Sequence, residues 1–191
     1  PIVSATNIEK VLEFLILIKD KKSVHPISVL SVVSNDAEAE INILKSKNKL
    51  EEYVRQASAF EAKVNIITTM DHNPSSGISR IAREIMADII MLGWPRQYGF
   101  VDKIFGKKLD NLLRSSDKTI FVGHLEKPLA LLKRIVIIVP PLAEFENGFT
   151  LWVMKMAKLA QELSIPMVVY SNETSKIAVE KVFSKEKLSA K

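Results

Sequence analysis

The stretch that decides the fold of this 191-residue chain is IIMLGWPRQYGFVDKIFGKKLDNLL, residues 89–113. It opens with an apolar run of strand length, meets Gly93, crosses a polar loop and continues into an amphipathic helix that includes Gly106. A glycine that ends a strand places the following loop at the carboxyl edge of a sheet, which is where open α/β folds bind ligands. The stretch therefore predicts a strand-to-helix unit and raises the question of a phosphate-binding loop.

The rest of the chain alternates between predicted strands and predicted helices. We predict strands over 26–34, 63–69, 88–92, 119–123, 134–139 and 166–170, and helices over 6–19, 36–60, 73–86, 101–114, 147–163 and from 174 onward. Strands that alternate with helices of this length imply parallel strands joined by helical crossovers. The predicted fold class is therefore α/β, a doubly wound and mostly parallel sheet of the Rossmann type.

The pattern restarts in the last third of the chain. In the first part, a proline and an apolar strand lead into SND at 34–36, and in the later part a proline and an apolar strand lead into SNE at 171–173. This similarity predicts a repeated strand–helix–strand unit whose second copy is cut short. We therefore expect a domain at 1–125 and a partial second unit of the same kind at 126–191.

The first unit has no counterpart of the strand at 134–139, because only PIVSA precedes its first helix. In a sheet of this type that strand is central, and an empty position would leave strand edges and apolar surface exposed. Two explanations stay open. Either the strand begins upstream of Pro1, or another segment takes its place, for which 134–139 is a candidate.

The composition excludes several kinds of site. The chain has no cysteine, which excludes disulfides, thiolate zinc sites and cysteine nucleophiles. Its three histidines lie far apart, and none has a second metal ligand at a suitable spacing. The net charge of +5 comes from scattered basic residues without interleaved aromatic residues, so we expect no nucleic-acid partner. No segment reaches the roughly 20 apolar residues that a membrane helix needs.

The loop of the opening stretch has the spacing of a known phosphate motif. Phosphate binding after a strand needs glycines for close backbone approach and helix N-terminal amides that point at the anion. Gly93, Arg96, Gly106 and Lys107 stand at positions that resemble the motif of the universal stress protein family: glycine, two residues, glycine, nine residues, then glycine and Ser or Thr. The resemblance implies that family's fold, which is adenine nucleotide alpha hydrolase-like, and ATP or another adenine nucleotide as a ligand of intact members.

This sequence departs from the family motif at two positions. Arg96 replaces the middle glycine and Lys107 replaces the hydroxyl residue, while residues 1–8 contain none of the carboxylates that hold the nucleoside in nucleotide-binding members. Arg96 and Lys107 attract phosphate by charge but do not replace a backbone cradle. We therefore expect a degenerate loop, in which the glycines serve a turn and helix packing, and no bound cofactor.

A second resemblance covers nearly the whole chain. It is carried by NIEKVLEFLILIKD, NPSSGISRIAREIMADIIMLGW, FGKKLDNLL and KRIVIIVPPLAEFENGF, which are similar to the cytoplasmic C-terminal region of bacterial cation:proton antiporters of the sodium/proton exchanger type. The resemblance implies a parent that exchanges Na⁺ or K⁺ for protons, with this piece on the cytoplasmic face of the inner membrane. Its implied partners are the N-terminal transmembrane antiporter domain of the parent and a second copy, as a homodimer.

Three functional hypotheses follow. The first is a regulatory or assembly domain of an antiporter, which is neither an enzyme nor itself a transporter. The second is a free-standing universal stress protein that binds ATP, and the third is a small-molecule α/β enzyme, ranked last because no nucleophile–base pair is evident. Asp71-His72 is interpreted as a polar turn at a helix entry, and Glu144 with Glu146 as a loop that leads to a helix N-terminus.

Overall fold

The computed structural model describes residues 8–21, 23–57, 63–94 and 100–185. Six helices and six strands alternate along them. In chain order they are α1 Ile8–Ile18, β1 Ile27–Ser34, α2 Ala39–Ala57, β2 Val64–Asp71, α3 Pro74–Glu84, β3 Ile89–Gly93, α4 Phe100–Ser115, β4 Thr119–Gly123, β5 Ile135–Ile138, α5 Phe149–Glu162, β6 Met167–Tyr170 and α6 Glu173–Lys185. Short 3-10 turns lie at Leu129–Leu131 and Ala143–Phe145. None of the helices in the described ranges is long and apolar enough to cross a membrane.

The strands pair in parallel, as the alternation of strands and helices predicted. They pair only in twos, however: β1 with β2, β3 with β4 and β5 with β6. The predicted α/β class with parallel strands is therefore confirmed, whereas the described strands do not form one continuous sheet. The physical reason is that no described strand connects β1 to β3, which is the position that the sequence left without a strand.

The chain divides into two compact units. Unit 1 comprises residues 1–16 and 23–126, and unit 2 comprises residues 17–22 and 127–191. Unit 1 contains the strand pairs β1–β2 and β3–β4, and unit 2 contains β5–β6. That unit 2 is a truncated copy of the same fold as unit 1 stays a prediction.

Both faces of unit 1 are covered by helices. On one face, Ile8 and Leu12 of α1 and Leu50 of α2 pack on the inward side chains of β1. On the other, the α3 residue Ile78 and the α4 residue Leu112 form a cluster with Ile90 of β3, against which side chains of β1 also pack. Successive strand residues point to opposite faces, so the apolar strands of unit 1 serve both layers.

Helix α3 approaches β1 closely because of Gly77. A Cβ atom at this position would lie 2.8 Å from Cγ1 of Val32 and 3.0 Å from Cβ of Asp71. The helix starts at Pro74 after the N-cap residue Asn73, whose side chain accepts a hydrogen bond from the backbone N–H of Ser75. A side-chain acceptor at this position satisfies one of the free amides at the helix start, so the sequence NPSSG both begins α3 and lets it lie against the sheet.

Unit 2 covers only one face of its strand pair. Ile137 of β5 and the β6 residues Met167 and Val169 pack against the buried cluster of α5 and α6, which includes Val153 and Phe183. β5 pairs with β6, and whether segment 134–139, of this chain or of a partner, takes the position beside β1 stays a prediction.

Residues 17–22, at the end of α1, belong to unit 2 and are held by α5. Lys155 donates to the backbone oxygen of Ile18 at 3.1 Å, and Lys158 donates to the backbone oxygen of Lys19. Lys21 forms an ion pair of 2.8 Å with Glu162. The last carbonyls of a helix have no partner within the helix, and lysine side chains satisfy them favourably.

Candidate functional site

The loop between β3 and α4 begins at the predicted place. Gly93 is the last residue of β3, lies half-buried and pairs with Gly123 of β4, whose backbone oxygen accepts a hydrogen bond of 2.8 Å from the amide of Trp94. Among the described residues, a Cβ atom on Gly93 would meet Cγ2 of Val11 at an ordinary 3.9 Å. Packing against this part of the chain therefore does not require glycine here.

Two of the predicted loop residues lie inside a helix. Helix α4 begins at Phe100, so Gly106 and Lys107 are well past its first turn. Only the first four amides of an α-helix lack a partner within the helix. The amides of Gly106 and Lys107 are therefore bonded within α4, and at a rise of about 1.5 Å per residue Gly106 lies roughly 9 Å along the axis from Phe100.

The structure describes Gly106 and Lys107 of the motif but not Arg96. The side chain of Lys107 is exposed, and a Cβ atom on Gly106 would meet nothing within 4 Å. Arg96 lies outside the described residues, so the structure does not place it relative to Gly93. No contact within the described part of the chain explains the glycine at 106 by packing, and the packing role expected for it stays a prediction.

A second group of polar residues lies at the carboxyl ends of β1 and β2. Asp71 accepts a hydrogen bond of 3.1 Å from the amide of Asn73, and its other oxygen lies 3.7 Å from Nη2 of Arg80. His72 contacts the amide group of Asn35 at 3.4 Å. The carboxylate thus shapes the entry to α3, which agrees with the turn interpretation of Asp71-His72.

A surface cleft of about 390 Å³ adjoins the carboxyl end of β1. Its lining residues come from the end of this strand and from one side of α2: Val32, Val33, Ser34, Asp36, Asn42, Lys45, Ser46 and Lys49. Two ammonium groups one helical turn apart, beside hydroxyl and amide groups, suit a small polar or anionic molecule. Sequence reasoning missed this cleft, although the polar residues of α2 recur with the spacing of one helix face.

Unit 2 has its own polar group at the carboxyl end of β5. Ser175 is fully buried near the start of α6, and its hydroxyl donates a 2.7 Å hydrogen bond to Oε2 of Glu144. The side chain of Asn172 accepts a hydrogen bond of 2.7 Å from the amide of Ser175. Before Glu144, Leu142 has a left-handed backbone with φ of 69°. The half-buried Glu144 thus anchors the loop through its hydrogen bond to Ser175.

Asp117 lies directly ahead of β4 and next to Lys118. A hydrogen bond from its own backbone N–H lowers the pKa of the Asp117 carboxyl, and Lys118, 3.3 Å away, acts in the same direction. A lowered folded-state pKa stabilises the protein above the unfolded pKa, and this contribution is lost on acidification. Within the described ranges, no group of three or more His, Asp or Glu residues is arranged to hold a metal ion.

The profile of the Universal stress protein family matches residues 10–123, well over half of the chain, from α1 to the last residue of β4. The matched region corresponds to unit 1 and excludes β5, α5, β6 and α6. No curated protein matches the sequence.

Proposed function

Because the chain belongs to the universal stress protein family, we propose that it is a non-catalytic regulatory or assembly module. Its carboxylates at the strand ends support this role, since they serve the fold: Asp71 engages Asn73 and Arg80, and Glu144 engages Ser175. A general base needs a carboxylate or imidazole within reach of a substrate proton, whereas these two carboxylates already accept internal hydrogen bonds.

The observation that carries the proposal is the start of α4 at Phe100. It leaves the amides of Gly106 and Lys107 bonded inside the helix, where they do not contribute to a phosphate cradle. The spacing of the family motif persists while its backbone donors are engaged elsewhere. ATP or another adenine nucleotide then binds weakly or not at all.

Calorimetric titration with magnesium ATP tests whether the chain has lost nucleotide binding. We expect no saturable binding by the natural chain below about 1 mM, whereas a Kd in the micromolar range contradicts the proposal. The double variant Arg96→Gly with Lys107→Ser restores the family residues, and it should gain affinity only if it also frees the amides of residues 106 and 107 from α4. The matched control, Arg96→Gly with Lys108→Ser, changes the charge equally but leaves position 107 as lysine. If both variants behave alike, the altered residues do not explain the loss.

The proposed parent of the module is a bacterial cation:proton antiporter, with the chain on the cytoplasmic face of the inner membrane. This rests on the resemblance of four segments, of which PPLAEFENGF lies in unit 2, beyond the region that the family profile matches. The module would regulate exchange if a ligand or partner bound two of its states unequally.

The coding sequence upstream of Pro1 is the sharpest test of this parent. An antiporter requires a series of apolar segments of about 20 residues each ahead of the module. A start codon a few residues before Pro1 would remove the antiporter from consideration and leave a separate stress protein.

A free-standing stress protein that binds ATP is the second candidate. The retained spacing of Gly93 and Gly106 favours it, and the family match is equally compatible with it. It requires that the loop from Gly93 to Phe100, together with the free amides at the start of α4, hold the phosphates. The same titration separates the candidates, because only this one predicts micromolar binding by the natural chain.

A further inference from the structure

The cleft beside the carboxyl end of β1 is lined by polar side chains that the fold leaves unused. They come from the end of β1, the turn after it and one side of α2. The side chains of Ser34, Asn42 and Ser46 make no hydrogen bond to any residue that the structure describes. Within the same part of the chain, Lys45 and Lys49 have no acidic partner. We propose that this cleft binds a small hydroxylated anion, with the size and chemistry of a sugar phosphate.

Lys45 and Lys49 give the cleft a basic side. They lie one helical turn apart on α2, and both are exposed. Like charges at this spacing repel each other. The neighbouring Lys47, by contrast, lies 3.9 Å from the carboxylate of Glu51. An anion held by the ammonium groups of Lys45 and Lys49 removes their repulsion and accepts a charge-assisted hydrogen bond from each.

Ser34 and Asp36 give the cleft its acceptors at the end of β1. Asp36 lies in the turn between β1 and α2, where its Oδ1 accepts a hydrogen bond of 3.0 Å from the amide of Glu38. A carboxylate repels phosphate but accepts hydrogen bonds from hydroxyl groups. Side chains of a helix lean toward its N-terminus, so Lys45 and Lys49 lean toward this turn. The ligand therefore needs an anionic group at the lysines and hydroxyl groups at the turn.

The size and position of the cleft separate it from the loop after β3. Its volume of about 390 Å³ is near the lower end for small-molecule sites, roughly 300–1,000 Å³, and exceeds what a lone phosphate ion fills. Its described lining lies within 32–49, whereas the motif glycines are Gly93 and Gly106. The inference gives the regulatory role proposed above a ligand class. Its test involves neither the antiporter parent nor ATP, so the two proposals fail separately.

A heteronuclear NMR titration of the whole chain tests the proposal, with glucose 6-phosphate, inorganic phosphate and glucose as probes. We expect saturable binding of glucose 6-phosphate with a Kd of roughly 0.1–1 mM, because an open cleft holds a ligand of this size weakly. Inorganic phosphate and glucose should each bind about tenfold more weakly, since each lacks one set of contacts. Amide signals of residues 32–49 should shift, and those of Gly93 and Trp94 should not.

Two lysines of α2 provide a matched pair of variants. Lys45→Gln should weaken binding of glucose 6-phosphate by about tenfold, because it removes a charge-assisted hydrogen bond. Lys47→Gln removes the same charge from the same helix and should change the Kd by less than about twofold. Ser34→Ala should weaken binding of the sugar phosphate a few-fold and leave that of inorganic phosphate unchanged. All three positions are exposed, so circular dichroism should show the natural fold in each variant.

The proposal is overturned if glucose 6-phosphate shows no saturable binding below about 10 mM. It is also overturned if Lys45→Gln and Lys47→Gln weaken binding equally, because the attraction then comes from net charge and not from the cleft. Inorganic phosphate bound as tightly as the sugar phosphate overturns the hydroxylated ligand. Shifts that centre on Gly93 and Trp94 overturn the assignment to the cleft, since they place the anion at the loop after β3.

Discussion

Units 1 and 2 use the same strand–helix–strand module but surround it differently. In unit 1, β1 contributes to a cluster with α1 and α2 on one face and to a cluster with α3 and α4 on the other. In unit 2, β5 and β6 have one covered face and one apolar face that remains exposed. The difference shows that strand composition alone does not reveal coverage, since ISVLSVVS and IVII are both apolar runs.

The largest expected effect comes from truncating a buried side chain in the α3–α4 layer of unit 1, which has no counterpart among the described helices of unit 2. Leu112 of α4 is 1% exposed in the cluster with Ile78 and Ile90. Leu112→Ala should lower the free energy of unfolding by about 2–5 kcal/mol, measured by denaturant titration. The neighbouring Leu113 is 56% exposed, and Leu113→Ala should change it by less than about 0.5 kcal/mol. Equal effects would mean that this layer is not a packed core.

The buried hydroxyls of the two units differ in their partners. Ser175 of unit 2 donates to the Glu144 carboxylate, while Ser79 of unit 1 lies 2.8 Å from the hydroxyl of Ser115. Hydrogen bonds to charged groups contribute about 1.5–3 kcal/mol and neutral ones about 1 kcal/mol. Ser175→Ala should therefore destabilise more than Ser79→Ala in thermal unfolding, and the reverse order would refute a charged anchor in unit 2.

A threonine that replaces a strand valine should lower stability on a covered sheet face and change it little on an exposed one. Val32 of β1 packs against the α3–α4 cluster, whereas Val168 of β6 is 38% exposed on the face of its sheet opposite to α5 and α6. Val32→Thr should cost about 1 kcal/mol because it buries a polar group. Val168→Thr should change stability by less than about 0.5 kcal/mol at concentrations where the chain is monomeric. Denaturant titration at low protein concentration measures both, and similar costs would contradict the open face.

The smallest effect concerns the glycine of the loop motif. Gly106 lies in the interior of α4 with open space around its Cα, so Gly106→Ala should raise stability by about 0.5–1 kcal/mol. Gly77→Ala is the control, because its Cβ would contact Val32 at 2.8 Å and should be destabilising. Differential scanning calorimetry gives both shifts. A destabilising Gly106→Ala would show that glycine is required in the helix.

Much of the fold followed from periodicity, and the errors have local causes. The helix predicted to begin at Asp36 begins at Ala39, because Asp36 instead forms a turn in which its carboxylate accepts from the amide of Glu38. The strand ending at Gly93 and the helix after it were placed correctly within a residue or two. The number of strands in each sheet was not foreseen, since pairing depends on segments far apart in sequence.

The candidate site was only partly predictable. The spacing of Gly93 and Gly106 is visible in the sequence, but the engagement of the Gly106 amide depends on where α4 begins. The Glu144–Ser175 hydrogen bond joins residues 31 apart. A glutamate and a serine in a sequence do not by themselves predict such a contact. It also depends on the loop before Glu144, which turns through the left-handed backbone of Leu142.

The parallel pairing has a consequence for synthesis on the ribosome. Ile27 pairs with Val64, Ile89 with Thr119 and Ile135 with Met167, so each strand waits for a partner that follows an intervening helix. Parallel pairs close only after the entropy of the intervening crossover has been overcome. A nascent chain therefore exposes β1, β3 and β5 in turn as unpaired apolar strands, and in each interval the strand edges are open to pairing with other chains.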